Sequence, residues 1–156
     1  KEEQQYVTDY IVDSLSNSIS EVNISTPKTI KAGNLLHLRT TIKGIIQKHT
    51  NLNDLVLLLH PTPAVAGLPK IDLIKFINEN EGYNREYYAG YLGEINHNNN
   101  SETDLYVNLR CMQIQNNHNF NIAHLYTGCG ITRDSIPEKE WFETVNKAMT
   151  LKNVLL

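Results

Sequence analysis

Scarcity narrows the field first. Cysteine occurs only at Cys111 and Cys129, in no CxxC arrangement, so neither a disulfide framework nor a zinc site is expected. Long hydrophobic runs are missing: the longest, LVLLLH after Asp54, is far short of the roughly 20 residues that cross a bilayer. No basic-then-apolar leader opens the chain, so a soluble, cytoplasmic protein without a membrane partner is expected. Positive charge is in deficit as well. Fourteen Lys and Arg against 17 Asp and Glu give a net charge of -3, and nucleic-acid binding, which needs a basic face to displace counterions, is not expected.

What remains is ordinary for a folded domain: 156 residues, 40% apolar and 20% charged, enough chain to bury a core. The first residue is Lys1, inside a stretch that already has helical periodicity. A piece of a longer protein is therefore expected.

Val7, Ile11 and Leu15 recur at helical spacing beside Tyr6 and Tyr10, which predicts an amphipathic helix from Glu3 to about Ile19, frayed by SNSIS. Around Gly33-Asn34 the sequence TIKAGNLLHLRTTIKGII alternates and is β-branched, predicting two short strands or one bent one, with a strand at Leu35 to Lys43. NLNDLVLLLH predicts a short helix capped by Asn51 or Asn53 that stops at His60, because the residue before a proline avoids the α region. The loop HPTPAVAGLPK holds Pro61, Pro63, Gly67 and Pro69, a density that imposes an unusual backbone path. A helix from about Leu68 to Asn80 follows.

YYAGYLGEI, DLYVNLRCMQI and NFNIAHLYTG alternate with period two and predict three strands of an antiparallel meander. After TGCGI, Ser135 and Glu138 have capping-box spacing ahead of a closing helix. The fold class is α+β, antiparallel strands with flanking helices.

The segment PEKEWFETVNK poses the functional question. On a helix, Glu140, Glu143 and Lys147 share one face, and such a stripe is commonly a solvated ladder in which an i,i+4 pair contributes only ~0.2 to 0.5 kcal/mol. Two neighbouring carboxylates also suit a magnesium ion, which takes few protein ligands and keeps waters. Gly128 and Gly130 in TGCGI allow close approach of backbone N–H groups to an anion, or make a plain turn. Arg110 lies opposite the apolar alternation of its run, facing either water or a carboxylate. His60 is read as a helix-terminal histidine whose charge the helix end favours. Glu3 and Tyr88 have equally plain readings.

Together, EEQQYVTDYI, LLHLRTTIKGII, LLLHPTPAVAGLPK, YNREYYAGYLGEI, VNLRCMQI and LYTGCGITRDSIPEKEWFETVNKAMTLKNVL resemble the chorismate-binding enzymes, the group that includes isochorismate, salicylate and anthranilate synthases. The resemblance runs over nearly the whole chain. It implies the C-terminal portion of that family's α/β sandwich, and the HPTPA loop resembles the branch that adds water rather than ammonia, most like the menaquinone-pathway isochorismate synthases. Salicylate synthase, or a non-catalytic chorismate-binding or assembly module, is the alternative.

The resemblance also implies roles. Glu3, Glu140 and Glu143 match magnesium ligands, with Gln4 standing where the family usually has a histidine. Arg110 and Tyr88 match grips on a substrate carboxylate or the pyruvyl arm. Gly128, with Cys129 beside it, matches backbone contact to a carboxylate, and Lys147 matches a positive anchor. His60, Ala64 and Val65 match the wall around the ring. The family's catalytic lysine and glutamate precede its first magnesium glutamate, so the resemblance implies that this stretch alone does not turn over chorismate. Exposed sheet edges imply self-association.

Overall fold

The computed structural model describes residues 2–32, 35–97 and 102–155; the expected break at Gly33-Asn34 and most of the Asn-rich run after His97 lie outside them. Two compact units divide the chain, residues 1–80 and 81–156. Helices and antiparallel strand pairs make up both, as the α+β reading expects.

In the first unit, α1 (Glu2–Leu15) leads into β1 (Ile19–Ile24), followed by β2 (Lys28–Ala32), β3 (Leu35–Arg39) and β4 (Ile42–Ile46). SNSIS is thus not a frayed helix end: the Ser18 N–H closes onto the Leu15 carbonyl at 2.8 Å, and the chain turns directly into a strand. The pairs are nested, β2 with β3 from Lys28↔Arg39 to Ala32↔Leu35, and outside them β1 with β4 from Ile19↔Ile46 to Ile24↔Ile42. The single strand expected over 35–43 is cut at Thr40-Thr41. There Ser25 takes over, its hydroxyl accepting from the Thr41 N–H at 2.9 Å while its own N–H donates to the Thr41 carbonyl. Alternation cannot reveal that interruption, because Ser25 is sixteen positions away.

Then come α2 (Leu52–Leu59), α3 (Pro63–Ala66) and α4 (Lys70–Asn80). Asn51 caps α2 as expected, its side chain accepting from the Asp54 N–H at 2.9 Å. The helix ends at His60, where Pro61 follows. Because Leu68 precedes Pro69, α4 starts at Lys70, and the Leu73 N–H bonds the Pro69 carbonyl. Leu15, Ile19 and Ala66 are buried in this unit, with Thr8 and Ser18 beside them.

Gly67 ends α3 at φ 74, ψ -174, a region that is essentially glycine's alone. A methyl group there would also run into Leu73 Cδ1. Gly67→Ala is expected to destabilise the unit by about 1–3 kcal/mol, read as a lower thermal midpoint, and to disturb the 60–70 loop.

The second unit has β5 (Tyr91–His97) paired with β6 (Glu102–Val107), β7 (Cys111–Asn116) paired with β8 (Asn121–Tyr126), and α5 (Pro137–Leu155). The expected meander is two separate hairpins, because DLYVNLRCMQI is not one strand. Asn108 breaks it by exchanging backbone bonds with Ala89 and Gly90 at 2.9 and 2.8 Å, and Arg110 stands at φ 51, far from the extended backbone of a regular ladder.

Nor does Ser135 cap α5. Its hydroxyl accepts from the Thr132 N–H at 3.0 Å, and the Lys139 and Glu140 N–H groups bond the Ile136 carbonyl, so the helix begins one residue later, with Pro137 first. The better-covered residues of α5 are Glu140, Thr144, Lys147, Ala148 and Leu151, one stripe at helical spacing. Trp141 and Phe142 are 67% and 63% exposed instead. Among the described residues, no helix is long and apolar enough to cross a membrane.

Candidate functional site

In the first unit the proline-rich loop is held by Lys70. Its ammonium donates to the His60 carbonyl at 3.2 Å and to the Tyr10 hydroxyl at 3.3 Å, and lies 5.9 Å from the centre of the Tyr10 ring. The α2 end, the start of α4 and α1 are thereby tied together. His60 ends α2, and the adjacent α3 carries Ala64, exposed, and Val65, half-buried.

The charge on His60, which a helix end favours, is opposed here by its surroundings. Burial first, and then the positive Lys70, hold its pKa below the usual 6.5. The unfolded chain therefore takes a proton near pH 6.5 that the folded loop refuses. Folding stability from this group is complete above about pH 6.5 and falls on acidification below it. His60→Gln is expected to flatten that acid limb in unfolding curves measured across the range.

Glu3 lies in the first turn of α1, and its side chain falls outside the described residues. The next side chain, Gln4, donates to the Thr40 hydroxyl at 2.9 Å.

The second unit gathers more of the candidates. Strand β8 ends at Tyr126 and releases the 127–130 loop, to which α5 is fastened twice. The Thr127 hydroxyl donates to the Thr144 carbonyl at 3.3 Å, and the Lys147 ammonium to the Gly128 carbonyl at 2.8 Å. The same ammonium pairs with Glu143 at 2.6 Å, so two of its three N–H donors are engaged. One turn earlier the Cys129 thiol bonds the Glu140 carboxylate. Burial, that bond and the two glutamate charges raise the thiol pKa, against the opposing pull of Lys147, so Cys129 stays a neutral thiol rather than a nucleophile.

Tyr88 arrives from the other side of the loop. A methyl group on Gly128 would lie 2.5 Å from the Tyr88 hydroxyl, so glycine is what lets the phenol reach the loop backbone. Burial raises the Tyr88 pKa, opposed by Arg85, and the hydroxyl remains a neutral donor at pH 7. Tyr88, Gly128, Cys129, Glu140, Glu143 and Lys147 thus surround one loop. Arg110 is half-buried at the turn opening β7, and no ion pair among the described residues engages it. Thr127, Thr144 and Arg85 escaped the sequence reading; Thr144, at i+4 from Glu140, had the spacing to be found.

The family described as "Chorismate binding enzyme" matches residues 1–156. The chain belongs to the chorismate-binding enzymes. It is 34% identical over 155 residues to isochorismate synthase EntC of Escherichia coli strain K12, covering 99% of this chain and 38% of EntC. Anthranilate synthase component 1 of Bacillus pumilus is 30% identical over 148 residues, covering 90% of this chain and 28% of that protein. The solved structure of MenF, the menaquinone-specific isochorismate synthase from Escherichia coli, superposes with a TM-score of 0.83 at 31% identity, over 99% of this chain and 34% of MenF. The chain therefore spans roughly a third of the length of these chorismate-binding relatives, and their α+β fold is the one seen here.

Proposed function

We propose that this chain is the substrate-gripping part of a magnesium-dependent isochorismate synthase that converts chorismate to isochorismate, with water added at C2 and the C4 hydroxyl lost. The carrying observation is Gly128, with the Tyr88 hydroxyl over its α-carbon and Lys147 on its carbonyl. Chorismate is a dianion. A loop offering backbone N–H groups beside a phenol and an ammonium matches a carboxylate, and the Arg110 fork would grip the other bidentately.

Glu140 and Glu143 would hold the metal. Both are hard oxygen donors one turn apart on α5, and both act electrostatically on Cys129, a donor set that suits magnesium better than softer ions. When bound, magnesium would supply Lewis-acid polarisation and offset the repulsion between substrate and glutamates. The Glu143–Lys147 pair presets the carboxylate, and the neutral Tyr88 hydroxyl donates to the substrate anion. The proton transfers at C2 and C4 need a positioned base and acid, which we assign to a lysine and a glutamate outside these residues. A cytoplasmic enzyme of menaquinone or siderophore synthesis is the corresponding setting.

The exposed Trp141 and Phe142 face of α5 also supports self-association, which light scattering checks; a monomer at all concentrations contradicts it. The function is tested by incubating the full-length protein with chorismate and magnesium. Isochorismate without pyruvate is expected. Salicylate with pyruvate would point to the lyase, and an ammonia-dependent amino product would overturn the water-adding reading.

A further inference from the structure

Three residues before Tyr88 stands Arg85, which no part of the site yet uses. Its Nε donates to Glu81 Oε2 at 2.7 Å and its Nη2 to Glu81 Oε1, the bidentate fork that fixes a guanidinium in one plane. Both side chains are largely covered, 23% and 26% exposed, so this pair is not a solvated surface contact. The guanidinium carbon lies 5.5 Å from the centre of the Tyr88 ring, within cation–π range. Tyr88 in turn stacks on Tyr126 at 5.6 Å and 22°, and Tyr83 leans on Tyr126 at 6.2 Å. Tyr126 is itself bonded through its hydroxyl to Gln113, whose amide donates to Glu86. The phenol therefore has little freedom to leave the loop.

We infer that Arg85, locked by Glu81, is a positioning residue that clamps the Tyr88 ring and aims its hydroxyl at the Gly128 backbone where the substrate carboxylate docks. The docking half rests on the proposed function; the clamp does not. A rigid phenol is what the close approach at Gly128 requires. A ring free to rotate would leave the hydroxyl donor to be ordered anew at each binding event, which weakens affinity.

The groups that act on the Tyr88 hydroxyl are Arg85, Tyr83, Glu81 and Cys111, in addition to burial, and Arg85 alone among them favours the phenolate. That sign provides a readout that simple loss of packing does not mimic. In the full chain labelled with ¹³Cζ-tyrosine, with Tyr88 assigned by its loss in Tyr88→Phe, Arg85→Met is expected to move the Tyr88 titration to higher pH. Glu81→Gln is expected to move it lower. Loosened packing would relieve burial and move both lower, and that outcome, or no shift in either, overturns the clamp. Chorismate affinity measured with magnesium is expected to fall about ten-fold or more in Tyr88→Phe and in Arg85→Met. The double variant should be no worse than Tyr88→Phe alone, because Arg85 acts through the phenol. Additive losses overturn the positioning role. Unchanged affinity in Tyr88→Phe with the opposed titration shifts intact would remove Tyr88 from the substrate site and leave the clamp standing, so the two ideas fail separately.

Discussion

Glu143→Ala is expected to abolish magnesium-dependent binding of chorismate. Removing the carboxylate takes away one proposed metal oxygen and also releases Lys147, whose ammonium is shared between Glu143 at 2.6 Å and the Gly128 carbonyl at 2.8 Å. Partners that only orient metal ligands already change affinity on the order of 10–100-fold, so a direct ligand should exceed that. The competing reading is an i,i+4 ladder in solvent, whose loss costs about 0.3–0.5 kcal/mol. Calorimetric titration with and without magnesium separates the two, since a ladder would leave the metal dependence intact. Glu143→Gln sharpens the comparison, as it keeps a hydrogen-bonding side chain beside Lys147 but removes the charge. Binding by Glu143→Ala at wild-type affinity in magnesium would remove the metal role.

Gly128→Ala should be nearly as damaging for a different reason. The added methyl would stand 2.5 Å from the Tyr88 hydroxyl, well inside contact distance, so the phenol has to swing away or the loop must shift. A misplacement of about 1 Å at a reacting or gripping group can cost on the order of 100-fold, and chorismate affinity should fall by that order. The clash is with one oxygen, so the change should be partly relieved in a Tyr88→Phe background, where that oxygen is absent. Recovery of thermal stability in the double variant relative to Gly128→Ala is the expected signature. If Gly128→Ala binds normally, the Tyr88–Gly128 approach is irrelevant to the ligand.

The orientation of α5 explains how a stripe that composition assigns to solvent becomes a site. Glu140, Thr144 and Lys147 turn toward their own unit, whereas Trp141 and Phe142 are left outside, the reverse of an ordinary amphipathic helix. The Thr127–Thr144 and Lys147–Gly128 bonds account for that choice. The first ties a loop hydroxyl to the Thr144 carbonyl of the helix and the second satisfies the Gly128 carbonyl of the loop, neither of which hydrophobic pattern alone registers.

Local chemistry was legible in the sequence where one residue decides one feature. Asn51 caps α2 because its short side chain reaches the Asp54 N–H, and the prolines after His60 and Leu68 end or delay helices through fixed backbone sterics. The alternation of Tyr, Val and Ile gave the strands of the second unit, since period two is a property of the extended chain itself. The family signature rested on ordered motifs of the same local kind. Only the tertiary structure decided where those runs break and what they hold. Ser25 interrupts the strand at Thr41 from sixteen positions away, Asn108 leaves its run to pair with Ala89 and Gly90, and Ser135 turns back to Thr132 rather than capping α5. In each case a backbone group had two possible partners, and the three-dimensional path, not the residue, selected one. The same holds at the site: nothing in the order of residues says that Tyr88 must meet Gly128 across forty positions, because contact between distant residues is settled by how strands and helices pack.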